Sequence, residues 1–150
     1  MLKAQQILED KYGVAGDVWS VTSYQELYRD GHATERWNRM HPGEKPRVPY
    51  VAECLAGSEG VIVAASDYVK VLPDSIDRWT GRRVTSLGTD GFGRSEGRSA
   101  LRDFFEVDAK HIVLATLGDL AREGKIETAV VQKAIKDLGI NPEKPNPAIT

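Results

Sequence analysis

At 150 residues, with 20 Lys and Arg against 22 Asp and Glu and 41% hydrophobic side chains, the chain is sized for one domain with a real core. Its net charge of -2 excludes a nucleic-acid binder that works through a concentrated basic face, and no apolar run approaches a membrane span or a signal-peptide core. A single cysteine, Cys54, excludes an internal disulfide and fits a reducing, cytoplasmic compartment.

In chain order, Leu2–Tyr12 carries Ala4, Ile7, Leu8 and Tyr12 on one helical face, with Gly13 as the stop. Residues 17–21, Asp-Val-Trp-Ser-Val, alternate apolar and polar and predict a strand. Ser23 with Glu26 forms a capping box for a short helix that should end before Gly31, with a second helix over 33–40. His41, Pro42, Pro46 and Pro49 impose an irregular stretch, and Pro49 suits the start of a helix to Leu55.

Residues 60–65 are apolar throughout, the pattern of a parallel strand covered on both faces. A helix is expected after Asp67, reset at Pro73 and reaching Trp79, and Val84–Leu87 is the next strand. A helical run over 95–105 follows. Asp108 is a good N-cap for a helix over 109–123, whose stripe is Val113, Leu114, Leu117, Leu120 and Ala121. Gly124 closes it, and a last helix over 127–138 buries Val130, Val131, Ala134, Ile135 and Leu138. Residues 141–150 hold three prolines and should be extended and poorly ordered unless they dock.

Three strands alternating with helices define an α/β sandwich with a mainly parallel sheet. The start is unusual, because a parallel sheet normally begins on a strand and this chain begins in a helix.

The stretch with the most chemical promise is Gly88 to Ser95, Gly-Thr-Asp-Gly-Phe-Gly-Arg-Ser, between a strand and a helix. Free backbone N–H groups and a helix dipole at such a junction can hold an anion, with Arg94 and Ser95 as partners. The spacing is wrong for a dinucleotide, since Gly91, Gly93 and Gly97 miss Gly-x-Gly-x-x-Gly by one residue, and no P-loop lysine is present. The favoured reading is a structural turn: Asp90, Gly91 and Gly93 shape the backbone, Phe92 plugs the core and Ser95 caps the following helix. His32, His41 and His111 lack metal-ligand spacing, and no nucleophile elbow occurs. The dense run of arginine, tryptophan and amide at Arg36, Trp37, Asn38 and Arg39 suits either a contact surface or an ordinary amphipathic helix.

Longer motifs carry a resemblance. Asp17-Val-Trp-Ser-Val-Thr-Ser-Tyr-x-Glu-Leu-x-Arg-Asp-Gly31, Glu35-Arg-Trp-Asn-x-x-His-Pro42 and Pro46-Arg-Val-Pro-Tyr50 occur in order. They are followed by the glycine loop, Phe104-Phe-Glu-Val-Asp108 and Asn141-Pro-x-Lys-x-Asn-Pro147. Together they resemble the C-terminal domain of the homodimeric, bacterial-type pyruvate dehydrogenase first component, a thiamine diphosphate enzyme of the transketolase-like superfamily.

The resemblance implies a three-layer α/β domain over residues 1–140, lacking its first strands, with an extended tail over 141–150. About three strands would remain, those over 17–22, 61–65 and 84–87, with two edges deprived of a neighbour and a fold marginal in isolation. The full-length family decarboxylates pyruvate and passes acetyl to lipoyl groups of the dihydrolipoyl acetyltransferase core. Its cofactor and Mg²⁺ are held by preceding domains through a Gly-Asp-Gly…Asn motif that this sequence lacks. No catalytic, cofactor or metal residue is therefore expected here. The implied partners are the remaining domains, a second copy in a homodimer and the acetyltransferase core, with Arg36, Trp37, Arg39 and Tyr50 as candidate contact residues. The rival reading is a free-standing anion- or nucleotide-binding module built on the 88–95 loop.

Overall fold

The computed structural model describes residues 1–150 as seven α-helices, one 3₁₀ turn and a two-stranded parallel sheet. The helices are α1 (Leu2–Tyr12), α2 (Tyr24–Met40), α3 (Tyr50–Leu55), α4 (Val71–Asp74), α5 (Arg98–Phe104), α6 (Ala109–Arg122) and α7 (Thr128–Asp137). Strands β1 (Ile62–Ala65) and β2 (Val84–Leu87) pair in parallel, Ile62 beside Val84 through Ala65 beside Leu87.

Local signals set most boundaries. Gly13, Gly124 and Gly139 take φ values of 64°, 70° and 62° just past their helices, a conformation only glycine adopts cheaply. The Ser23 hydroxyl accepts the Glu26 N–H at 3.2 Å, while the Glu26 carboxylate turns to Arg29 instead of closing the box. Asp108 accepts the His111 N–H at 3.1 Å and starts α6.

Three expectations are corrected. The segment over 17–21 is not a strand, and the sheet has two strands rather than three. Alternation alone cannot make a strand; it needs a hydrogen-bonding neighbour, and here Val18, Trp19 and Val21 are exposed. Helix α2 does not stop before Gly31 but runs unbroken to Met40. Gly31 is buried against Trp79, so its missing side chain answers a packing need and not a turn. The strand over 60–65 is shorter than its apolar run and half-buried, because only β2 flanks it.

The main core joins Ala4 and Leu8 of α1, Ile112, Val113 and Leu117 of α6 and Ala134 of α7. Val63, Ala65 and Leu87 pack onto it from the sheet. Side-chain alternation places Ile62, Ala64, Val84 and Ser86 on the other face. A smaller cluster of Val51, Ile76 and Trp79 ties α2, α3 and α4 together. Arg82 fastens the entry to both strands, donating to the Gly60 carbonyl at 2.9 Å and the Ser58 hydroxyl at 3.0 Å.

Burial is modest. Only 19 of 150 residues are buried, and the chain exposes 9861 Å². A compact monomer of 16.5 kDa exposes roughly 7,600 Å², so about 2,300 Å² is in excess.

Candidate functional site

The glycine loop leaves the C-terminal end of β2 and is anchored at its start. Gly88 is buried, and a Cβ there would lie 2.6 Å from the Tyr68 carbonyl oxygen. The Thr89 N–H donates to that carbonyl at 2.9 Å, and its hydroxyl donates to the Asp67 carbonyl at 2.9 Å. Asp90 accepts the Lys70 N–H at 3.0 Å, with the Lys70 ammonium 3.7 Å away. Asp90 thus ties the two segments that follow β1 and β2.

Beyond Asp90 the loop meets the C-terminal tail. Gly91 has φ 97°, and a Cβ there would lie 2.7 Å from the Pro147 carbonyl oxygen, so both conformation and space require glycine. The tail is docked. The Lys144 ammonium donates to the carbonyls of Asp103 at 2.6 Å and Phe104 at 2.8 Å, and Pro147 is buried.

This arrangement corrects two side-chain expectations. Phe92 does not plug the core; it is 84% exposed. The tail at Pro147 and Ala148 packs against Gly91, and the buried aromatic of the following segment is Phe105, not Phe92. Nor does Ser95 cap a helix, because α5 begins at Arg98 with Gly97 as its N-cap and no side-chain bond. A Cβ at Gly93 would meet nothing within 4 Å, so no packing demand requires glycine there.

Arg94, the cation of the anion-site reading, donates to the Thr150 carbonyl at 3.0 Å and lies 5.0 Å from the Phe104 ring centroid. Its charge is directed at the tail, not into a cradle of backbone N–H groups.

The other candidates lie on α2 and α3. Arg36 and Arg39 are exposed. Trp37 is half-buried, stacked on His41 with ring centroids 4.3 Å apart and planes 11° apart, while the Arg47 guanidinium lies 3.8 Å from its centroid. Asn38 locks the return of the loop, donating to the Arg47 carbonyl at 2.9 Å and accepting its N–H at 2.8 Å. Tyr50 is 60% exposed, and its N–H donates to Asp30 at 2.7 Å. The adjacent Cys54 side chain, by hydrogen bonding and charge, pushes the Tyr50 phenol above its ordinary range. Trp37 therefore holds the proline-rich loop, and Arg36, Arg39 and Tyr50 are exposed to solvent. Sequence reading missed Asn38 and Arg47 as its fasteners; the prolines flanking Arg47 were the available signal.

An open groove of about 940 Å³ lies at the C-terminal end of β1, lined among others by Lys3, Asp67, Arg98, Arg102, Asp108 and Lys110. Ligands in α/β sheets favour such a place. Most of its charges are already paired, Arg102 with Asp67 at 3.1 Å and Lys110 with Asp103 at 2.5 Å. Asp103, Asp108 and His111 form a carboxylate–imidazole cluster, with Lys110 on Asp103 and the His111 ring on Asp108 at 2.7 Å. The Lys110 hydrogen bond holds the Asp103 carboxyl below its usual range against the opposing effect of burial. These ligand atoms already have partners within the chain. No helix of this protein is long and apolar enough to cross a membrane.

The family described as "Transketolase-like TK C-terminal domain" matches residues 1–108, and the chain belongs to it. Among curated proteins the chain is 51% identical over 146 residues to the "Pyruvate dehydrogenase E1 component" of Pseudomonas aeruginosa, covering 97% of this chain and 17% of that protein. It is 46% identical over 148 residues to the protein of the same name from Escherichia coli K12, covering 98% and 16%. With the one from Mycolicibacterium smegmatis it shares 41% over 140 residues, covering 93% and 15%. The chain thus spans about one-sixth of the length of the relatives it matches.

Proposed function

We propose that the chain is the C-terminal segment of a pyruvate dehydrogenase first component and supplies scaffold and contacts, not catalytic groups. The observation that carries this reading is the 51% identity to the Pseudomonas aeruginosa protein across 97% of the chain. In this reading the whole enzyme decarboxylates pyruvate on thiamine diphosphate and transfers acetyl to lipoyl groups of an acetyltransferase partner. It works as a homodimer in the cytoplasm. The residues present here do not fit the cofactor. Asp103 is engaged by Lys110, Asp108 accepts from the His111 backbone N–H and contacts its ring, and Arg94 is bound to the tail, so these groups form no ready-made site for Mg²⁺ with a diphosphate.

Residues 1–140 act as the domain body and 141–150 as a tail clasped to it. Arg36, Arg39 and Tyr50 face other parts of the assembly, with Trp37 fixing the loop that presents them. The test replaces the matched segment of the Pseudomonas aeruginosa relative with this chain. Pyruvate-dependent turnover by a dimeric chimera is the expected result. A folded chimera that neither dimerises nor turns over would count against the reading.

A further inference from the structure

We propose a specific docking surface at the C-terminal ends of the two strands: Tyr68, Val69, Val71, Phe92 and Ile149, whose occupant is the remainder of the same, longer polypeptide. The proposal rests on the reading above. Exposure is high for all five, at 70%, 44%, 65%, 84% and 85%. Single exposed apolar residues mean little, but these come from three segments in direct backbone contact. Thr89 bonds Tyr68, Asp90 bonds Lys70, and Gly91 abuts Pro147 and Ala148 beside Ile149.

The five side chains offer on the order of 600 Å², against roughly 800 Å² per partner in a stable interface. Part of the charge at this end is paired within the chain, Asp90 with Lys70 and Arg94 with the Thr150 carbonyl. The five side chains themselves are apolar, so their direct complement is apolar, with the paired charges of Asp67, Lys70 and Arg102 at its rim. The relatives carry some five-sixths of their length outside the matched segment, and this chain alone exposes about 2,300 Å² more than a compact monomer should. A large covering body of the same chain accounts for both.

The experiment compares Phe92→Asp combined with Ile149→Asp in two settings: the isolated chain and the chimera with the Pseudomonas aeruginosa relative. In the isolated chain the melting temperature should stay within about 1 °C, since both side chains already meet water. In the chimera it should fall by about 5 °C, with faster amide exchange over residues 88–95. Phe92→Leu should restore most of the loss. Equal, negligible shifts in both settings would overturn the surface while leaving an active chimera, and so the functional reading, intact. A concentration-dependent dimer of the isolated chain that the double variant abolishes would overturn it in favour of a second copy. An unfolded wild-type chimera would remove the functional reading and this surface with it.

Discussion

Gly31 lies flush against the indole of Trp79, where a Cβ would sit 2.5 Å from Cδ2. The indole is also tied to the same helix one turn further on, its Nε1 donating to Glu35 at 2.8 Å, so moving away from Gly31 would strain that bond. Gly31→Ala ordinarily gains helix propensity of about 1 kcal/mol in a helix interior. Here overpacking wins, and a net loss of about 1–3 kcal/mol is expected in urea unfolding followed by tryptophan fluorescence. Unchanged or raised stability would show that the indole can move.

Asp108 caps the helix around which the main core is built. Asp108→Ala should cost about 1 kcal/mol by urea unfolding, and Asp108→Asn much less, because the amide oxygen still accepts the His111 N–H.

Lys144 clamps the tail to the end of α5 through two carbonyls. Lys144→Met keeps the stem and loses both bonds, so a loss of about 1–2 kcal/mol is expected. Hydrogen exchange should report it as faster opening of residues 88–95, because Gly91 packs under the tail at Pro147.

Lys110 and Asp103 pull each other's titrations apart, the carboxyl downward and the ammonium upward, chiefly through their mutual hydrogen bond. The carboxylate's contribution is present above the ordinary carboxylate pKa and is lost as pH falls through its lowered folded value. The ammonium's is present below the ordinary lysine pKa and is lost as pH rises through its raised folded value. Asp103 is 51% exposed, so solvent screening limits the pair to about 0.5 kcal/mol. Lys110→Met should therefore lower the urea midpoint slightly at pH 7, with the difference from wild type closing at strongly acid pH.

What was legible in the sequence was local chemistry. Ser23, Asp108, Gly13, Gly124 and Gly139 act on backbone groups within a turn, and each boundary lies where the residue type places it. Long-range features were not legible. Gly31 read as a helix stop because nothing nearby announces that Trp79, 48 positions later, takes the space of its side chain. Residues 17–21 read as a strand because alternation records a preference, whereas a strand also needs a neighbour to bond. Phe92 read as core because nothing near it announces that the tail, from the far end of the chain, packs against its neighbour Gly91 while Phe92 itself stays exposed. The glycine loop was visible as a motif, and its partner, the tail, was not.

In the proposed function this chain contributes scaffold and not cofactor chemistry. Calorimetric titration of the isolated chain with thiamine diphosphate and Mg²⁺, and separately with inorganic phosphate, tests it directly, set beside the same titration of the chimera. Saturable thiamine diphosphate binding by the chimera, and none by the isolated chain with either probe, is the expected result. Saturable binding to the isolated chain that disappears in Arg94→Ala would contradict it and establish the 88–95 loop as an anion site.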